Sequence, residues 1–175
     1  MTTMLKPQDV VVLIKLAIES GRSWSYTQLA YELSMSASEV HAGIKRATQA
    51  RLFSKQLNRP HRKALEEFLI HGVKYAYFPT IGSLTRGIPT AFASPILREQ
   101  FAMNDDSEIY VWPHPLGEYR GLEFSPMYKS VPDAATRDKK LYAALSLLDA
   151  LRIGRARDKN IAEKLLLEMI KNASS

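Results

Sequence analysis

The chain has 175 residues, 46% apolar and 24% charged, with a net charge of +6, a pI near 9.5 and no cysteine. That balance fits one large or two small folded domains rather than a disordered chain, and the missing cysteines remove disulfides, thiolate metal sites and cysteine nucleophiles. No stretch nears the roughly 18 uninterrupted apolar residues of a membrane helix, and the start lacks a signal-peptide pattern, so a cytoplasmic protein with no membrane role is expected.

Residues 7–20 read as a first helix. Pro7 suits a first turn, Val10, Leu13, Ile14, Ala17 and Ile18 recur at helical spacing, and Gly21 stops it. Ser25 is placed to cap a short second helix over residues 26–33, with Gln28 closing a capping box. Residues 34–36 make a turn, and a third helix runs from Ala37 or Ser38 to Ala50 with Val40, Ile44 and Ala47 on one face. A short strand is predicted at 52–56, a helix at 60–70 ended by Gly72, and a strand at 73–78 ended by Pro79. Gly82, Gly87, Pro89 and Pro95 mark residues 80–95 as loop. A short helix at 96–103 and a hairpin of strands 108–112 and 119–124 follow.

Beyond Pro132 two amphipathic helices are expected, one on Leu141, Ala144, Leu145, Leu148 and Leu151, the other on Ile161, Leu165, Leu166, Met169 and Ile170, with Gly154 between them. The predicted class is α+β, mainly α. Residues 1–79 form one predicted part, and residues 80–175 a mixed α/β and helical part for dimerisation or for binding an effector or protein partner.

Charge is concentrated in one place. Seven of the 24 basic residues but only one of the 18 acidic ones, Glu39, lie within residues 36–63, so the remainder balances at seventeen of each. In the same region Ala30 offers the small side chain needed where two helices cross. Leu29, Leu33, Met35, Val40 and Ile44 fill the wedge between them, which leaves Ser38, Glu39, His41, Ala42, Lys45, Arg46 and Gln49 on the open face of the third helix.

The pattern Leu29-Ala30-x-x-Leu33-x-x-Ser36-x-Ser38-x-Val40-x-x-x-Ile44-x-x-Ala47-x-x-Ala50-x-Leu52-Phe53 resembles the winged helix-turn-helix of MarR-, ArsR- and Lrp-type transcription regulators, over about residues 7–56. The resemblance implies a non-enzymatic, sequence-specific regulator, a repressor or autoregulator, binding double-stranded DNA as a homodimer. Ser36, Ser38 and His41 would read bases, with Lys45 reaching further. Ser25, Tyr26 and Thr27 would hold a phosphate at the start of the second helix, and Arg46, Arg51, Lys55, Arg59 and Arg62 would grip the backbone. A typical wing follows the third helix directly, whereas Pro60 and a predicted helix intervene here. Either the strand at 73–78 pairs with 52–56 across an inserted helix, or the wing is truncated or absent. The alternative function is a winged-helix protein-interaction module, an antitoxin-like partner binder with no operator of its own.

Other motifs are weaker. His41, His61, His71 and His114 invite a metal, but Glu67 and His71 supply two ligands at most and no HExxH is present. Gly82 and Gly87 have phosphate-loop spacing without its lysine, and no Gly-x-Ser-x-Gly elbow occurs. Asp105, Asp106 and Glu108 read as a solvated loop. Tyr75, Tyr77, Phe78 and Phe92 near Arg86 read first as sheet core, and otherwise as an aromatic-basic pocket. Arg152, Arg155, Arg157 and Lys159 form a second basic cluster, for DNA flanks or a helix C-terminus. No catalytic, cofactor-binding or metal-ligating residue is assigned. An enzyme acting on nucleic acid would need clustered acids or histidines in residues 80–126, and the sequence shows none.

Overall fold

Helix α1 (Pro7–Ile18) is enclosed along residues 9–18 on every side rather than along one stripe, the signature of a helix surrounded by others. The computed structural model describes residues 3–101, 108–154 and 159–173. Two charged groups are buried in α1, and both are matched. Asp9 takes the Arg46 guanidinium at 2.7 and 2.8 Å, and Lys15 meets Asp138 at 2.6 Å and Glu19 at 2.8 Å.

Helix α2 (Tyr26–Leu33) starts at Ser25, whose hydroxyl accepts the Gln28 N–H. The expected return bond from Gln28 is missing because its side chain turns along the helix to Glu32 instead. The reciprocal capping box belongs to α3 (Ala37–Gln49), between Ser36 and Glu39. Ser34, in the left-handed region at φ 54°, makes the turn between these helices. At the far end of α3, Arg51 occupies a left-handed position usually given to glycine (φ 63°), while Leu52 N–H bonds Ala47 C=O and Arg51 N–H bonds Thr48 C=O.

Strands β1 (Phe53–Ser54) and β2 (Arg59–Pro60) then form a two-stranded antiparallel hairpin. The expected partner strand at 73–78 does not exist. Residues 62–76 stay helical as α4 (Arg62–Glu67), a π turn (Phe68–Gly72) and α5 (Val73–Ala76), because Leu65, Leu69 and Val73 are buried at four-residue spacing. Gly72 does not stop this helix; it makes room for the Phe68 ring, which a β-carbon there would meet at 2.6 Å.

The predicted loop at 80–95 is also overturned. Strand β3 (Ile81–Thr90) runs through its glycines and Pro89, followed by a 3₁₀ turn (Ala91–Ala93) and α6 (Pro95–Arg98), which ends before Glu99, short of the helix expected at 96–103. Strands β4 (Tyr110–Pro113) and β5 (Tyr119–Phe124) are not a hairpin. They lie parallel to each other, each pairs antiparallel with β3, and the three close into a small barrel. An unanticipated α7 (Val131–Arg137) precedes α8 (Lys139–Ile153) and α9 (Lys159–Ala173), and Gly154 ends α8 at φ 74°.

The chain is thus α+β and mainly helical. One buried apolar cluster extends from α1–α3 through the barrel to α9, and α1 packs against α3 on one side and α8 and α9 on the other. The leucines of α8 lie inside this core, which removes them from the surface offered for dimerisation. Among the described residues no helix is long and apolar enough to cross a membrane.

Candidate nucleic-acid interface

Burying Val40, Gly43, Ile44 and Ala47 leaves Ser38, His41, Lys45 and Gln49 on the exposed face of α3. Ser36 is exposed at its N-cap. Ser25, Tyr26 and Thr27, exposed at the start of α2, lie beside this face, with the Tyr26 ring 5.0 Å from that of His41. Trp24 continues the contact, edge-on to Tyr26 at 5.5 Å and to Phe53 of the hairpin at 6.2 Å. Its indole N–H also reaches the Asn58 carbonyl at 3.4 Å, so one aromatic chain joins α2, α3 and both ends of the hairpin. Trp24 escaped the sequence reading, although an aromatic residue immediately before an N-cap serine was its visible signal.

The hairpin tip is short, with Leu57 exposed among polar residues. Leu57 N–H bonds the Ser54 hydroxyl, and Asn58 takes a left-handed conformation. Lys55 and Arg59 are exposed on it, as are Arg51 just before and Lys63 just after. Among the described residues none of these four, nor Lys45, forms an ion pair. Arg62 is exposed too, but it reaches Glu66 at 3.4 Å.

Arg46 corrects the sequence assignment. Its guanidinium turns inward and binds Asp9 through Nε and a terminal nitrogen, leaving the side chain only 11% exposed. The hydrogen bond to Asp9 raises its pKa, and Gly43 makes the approach possible, since a β-carbon there would lie 2.9 Å from Asp9 Oδ1.

Glu39 is similarly committed. Its carboxylate accepts the Ser36 N–H at 2.7 Å and the Tyr128 hydroxyl, and these bonds, led by the Ser36 N–H, hold it below the usual carboxylate range. Arg137 donates to the Tyr31 carbonyl at 3.0 Å and to the Ser34 hydroxyl, and its guanidinium lies 5.0 Å from the Tyr31 ring centre. Tyr128 and Arg137 therefore brace α3 and the turn before it. Each is far from its partner along the chain, so no local pattern announced them.

The other sequence candidates disperse. Tyr75 and Phe78 are exposed, Tyr77 bonds the Leu5 carbonyl, and Phe92 packs edge-on to Phe101, so they form no shared pocket or sheet core. His114 pairs with Asp133 at 2.8 Å, and Glu108 accepts the Tyr110 hydroxyl instead of sitting free in a loop. Arg152 is buried, holding Asp149 at 2.8 Å and the carbonyls of Tyr77 and Ser125. Burial pushes Asp149 up despite that cation. Asp105, Asp106, Arg155 and Arg157 lie outside the described residues. Within those residues, no three histidine, aspartate or glutamate side chains gather closely enough to hold a metal.

No protein-family profile, curated protein or solved structure matches this chain.

Proposed function

We propose that the chain is a sequence-specific, double-stranded-DNA-binding transcriptional regulator, a repressor or autoregulator acting as a homodimer through a winged helix-turn-helix with a truncated wing. The observation behind this reading is the exposed set on α3 and its flanks, whose cations form no ion pair among the described residues. Ser38, His41 and Lys45 share one face, Ser25 to Thr27 border it, and Arg51, Lys55 and Arg59 surround the hairpin.

In this reading α3 enters the major groove. A groove about 12 Å wide admits one helix, whose short side chains then reach base edges. His41, held by Tyr26, and Ser38 read bases, while Lys45 and the hairpin cations displace counterions from phosphates. The α2 N-terminus adds N–H donors to a phosphate.

Selection of bound sequences from random duplexes at physiological salt tests the proposal. A two-fold symmetric motif is expected, lost when His41 and Lys45 are both changed to alanine. Lys45→Ala alone is expected to lower the salt slope of binding by about one phosphate equivalent. No enrichment at any salt sinks the reading.

A second reading, a winged-helix module that binds protein, is favoured by the exposed apolar run Tyr75, Phe78, Ile81 and Leu84. It predicts weak, sequence-blind DNA binding that Lys45→Ala leaves unchanged.

A further inference from the structure

The barrel places two arginines where folding alone disfavours them. Arg86 on β3 stands directly opposite Arg120 on β5. Cross-strand partners share a face with β-carbons about 5 Å apart, and like charges at that spacing repel. Neither arginine has an acidic partner among the described residues, and both are exposed. Together they line a cleft of 810 Å³ bounded by Thr85 and residues 115–119.

Past Leu116 and Tyr119 the cleft adjoins a smaller slot of 270 Å³, walled by Ile88, Pro89 and Tyr142. Arg98 also lines that slot and reaches the Tyr119 hydroxyl at 3.4 Å. Its guanidinium lies 5.2 Å from the Tyr119 ring centre, and its Nε is buried with no hydrogen-bond partner.

The lining therefore grades from two adjacent guanidinium forks to an apolar slot with aromatic walls and one unused donor. Two forks side by side match the several oxygens of a phosphate, whereas a lone carboxylate occupies only one. A slot with ring faces and one donor suits a heterocyclic base, which stacks and accepts a hydrogen bond. Glu118 is the acid of this lining; it offers an acceptor to an amino or hydroxyl group and disfavours a long polyanion.

We propose that this cleft binds a nucleoside monophosphate, with the phosphate on Arg86 and Arg120 and the base between Tyr119 and Tyr142 beside Arg98. The site is separate from the α3 face and does not rest on the DNA-binding reading.

Isothermal titration calorimetry of the full chain with AMP, GMP, CMP, UMP and inorganic phosphate tests it. At least one nucleotide is expected to bind about tenfold more tightly than inorganic phosphate. The Arg86→Ala/Arg120→Ala variant is expected to weaken both by about tenfold or more, while Tyr119→Ala brings the nucleotide down to the level of phosphate. Because the arginine pair is repulsive, the double variant should melt no lower than the parent, which keeps lost binding distinct from lost folding. The proposal is overturned if no nucleotide binds, if nucleotide and phosphate bind equally, or if the double variant weakens only binding to duplex DNA. Operator selection with the α3 variants reports on the DNA-binding reading independently.

Discussion

Asp9 has no exposed surface and receives both arms of the Arg46 fork, so deleting the guanidinium leaves a carboxylate buried without a counter-charge. Breaking a buried pair from one side costs about 3–5 kcal/mol, and replacing both partners by apolar groups of similar volume is often neutral. Arg46→Ala is therefore expected to lower unfolding free energy by about that amount in urea at neutral pH. Asp9→Leu/Arg46→Met should recover most of the loss. If Arg46→Ala instead abolishes duplex binding at an unchanged urea midpoint, the residue acts on DNA after all. The same helix face is crowded by design of the pair: a β-carbon at Gly43 would press on Asp9 Oδ1, so Gly43→Ala should cost stability as well.

At the scale of elements, α3 is held at its start by Glu39, which accepts from Ser36 and Tyr128. Both bonds favour the ionised carboxylate, so its folded pKa lies below its ordinary value of 4.5. The unfolded chain then binds that proton more readily than the folded one. The resulting stability is present above the unfolded value and is lost as pH falls through the depressed one. Glu39→Gln is expected to flatten the acid limb of a thermal-melting profile as pH falls below the ordinary carboxylate value. Superimposable parent and variant profiles would remove this role.

The start of α3 was legible in the sequence because its buried spacing and its turn are local, although its capping box was assigned to α2. The hairpin partner, the long helix and β3 were not. Residues 62–76 remain helical because Leu65, Leu69 and Val73 are buried in the core and Gly72 admits the Phe68 ring, and β3 is a strand because it pairs half with β5 and half with β4. Those causes lie in packing and in distant partners, where glycine and proline read as punctuation mislead. Of the candidate site, the exposed residues of α3 and the hairpin cations were visible as charge and spacing. The inward turn of Arg46 depended on a carboxylate 37 positions away along the chain and was not.

Across the whole molecule, helices after Pro79 pack on α1. Packing of α8 and α9 on α1, the Asp138 bond to buried Lys15, and the Arg152 bond to the Tyr77 carbonyl all cross that position. A fragment of residues 1–79 would expose the apolar face of α1 that α8 and α9 cover. It would also leave Lys15 without Asp138, in a chain whose small size already limits how much surface folding can bury. Such a fragment is expected to show no cooperative thermal transition by far-ultraviolet circular dichroism, whereas the full chain melts in one step. A sharp transition in the fragment would establish residues 1–79 as self-sufficient and reduce the later contacts to docking. If the fragment fails to fold, Arg137 and Tyr128 gain a further meaning. The second half of the chain then helps to hold the turn between α2 and α3 through Arg137 and the start of α3 through Tyr128.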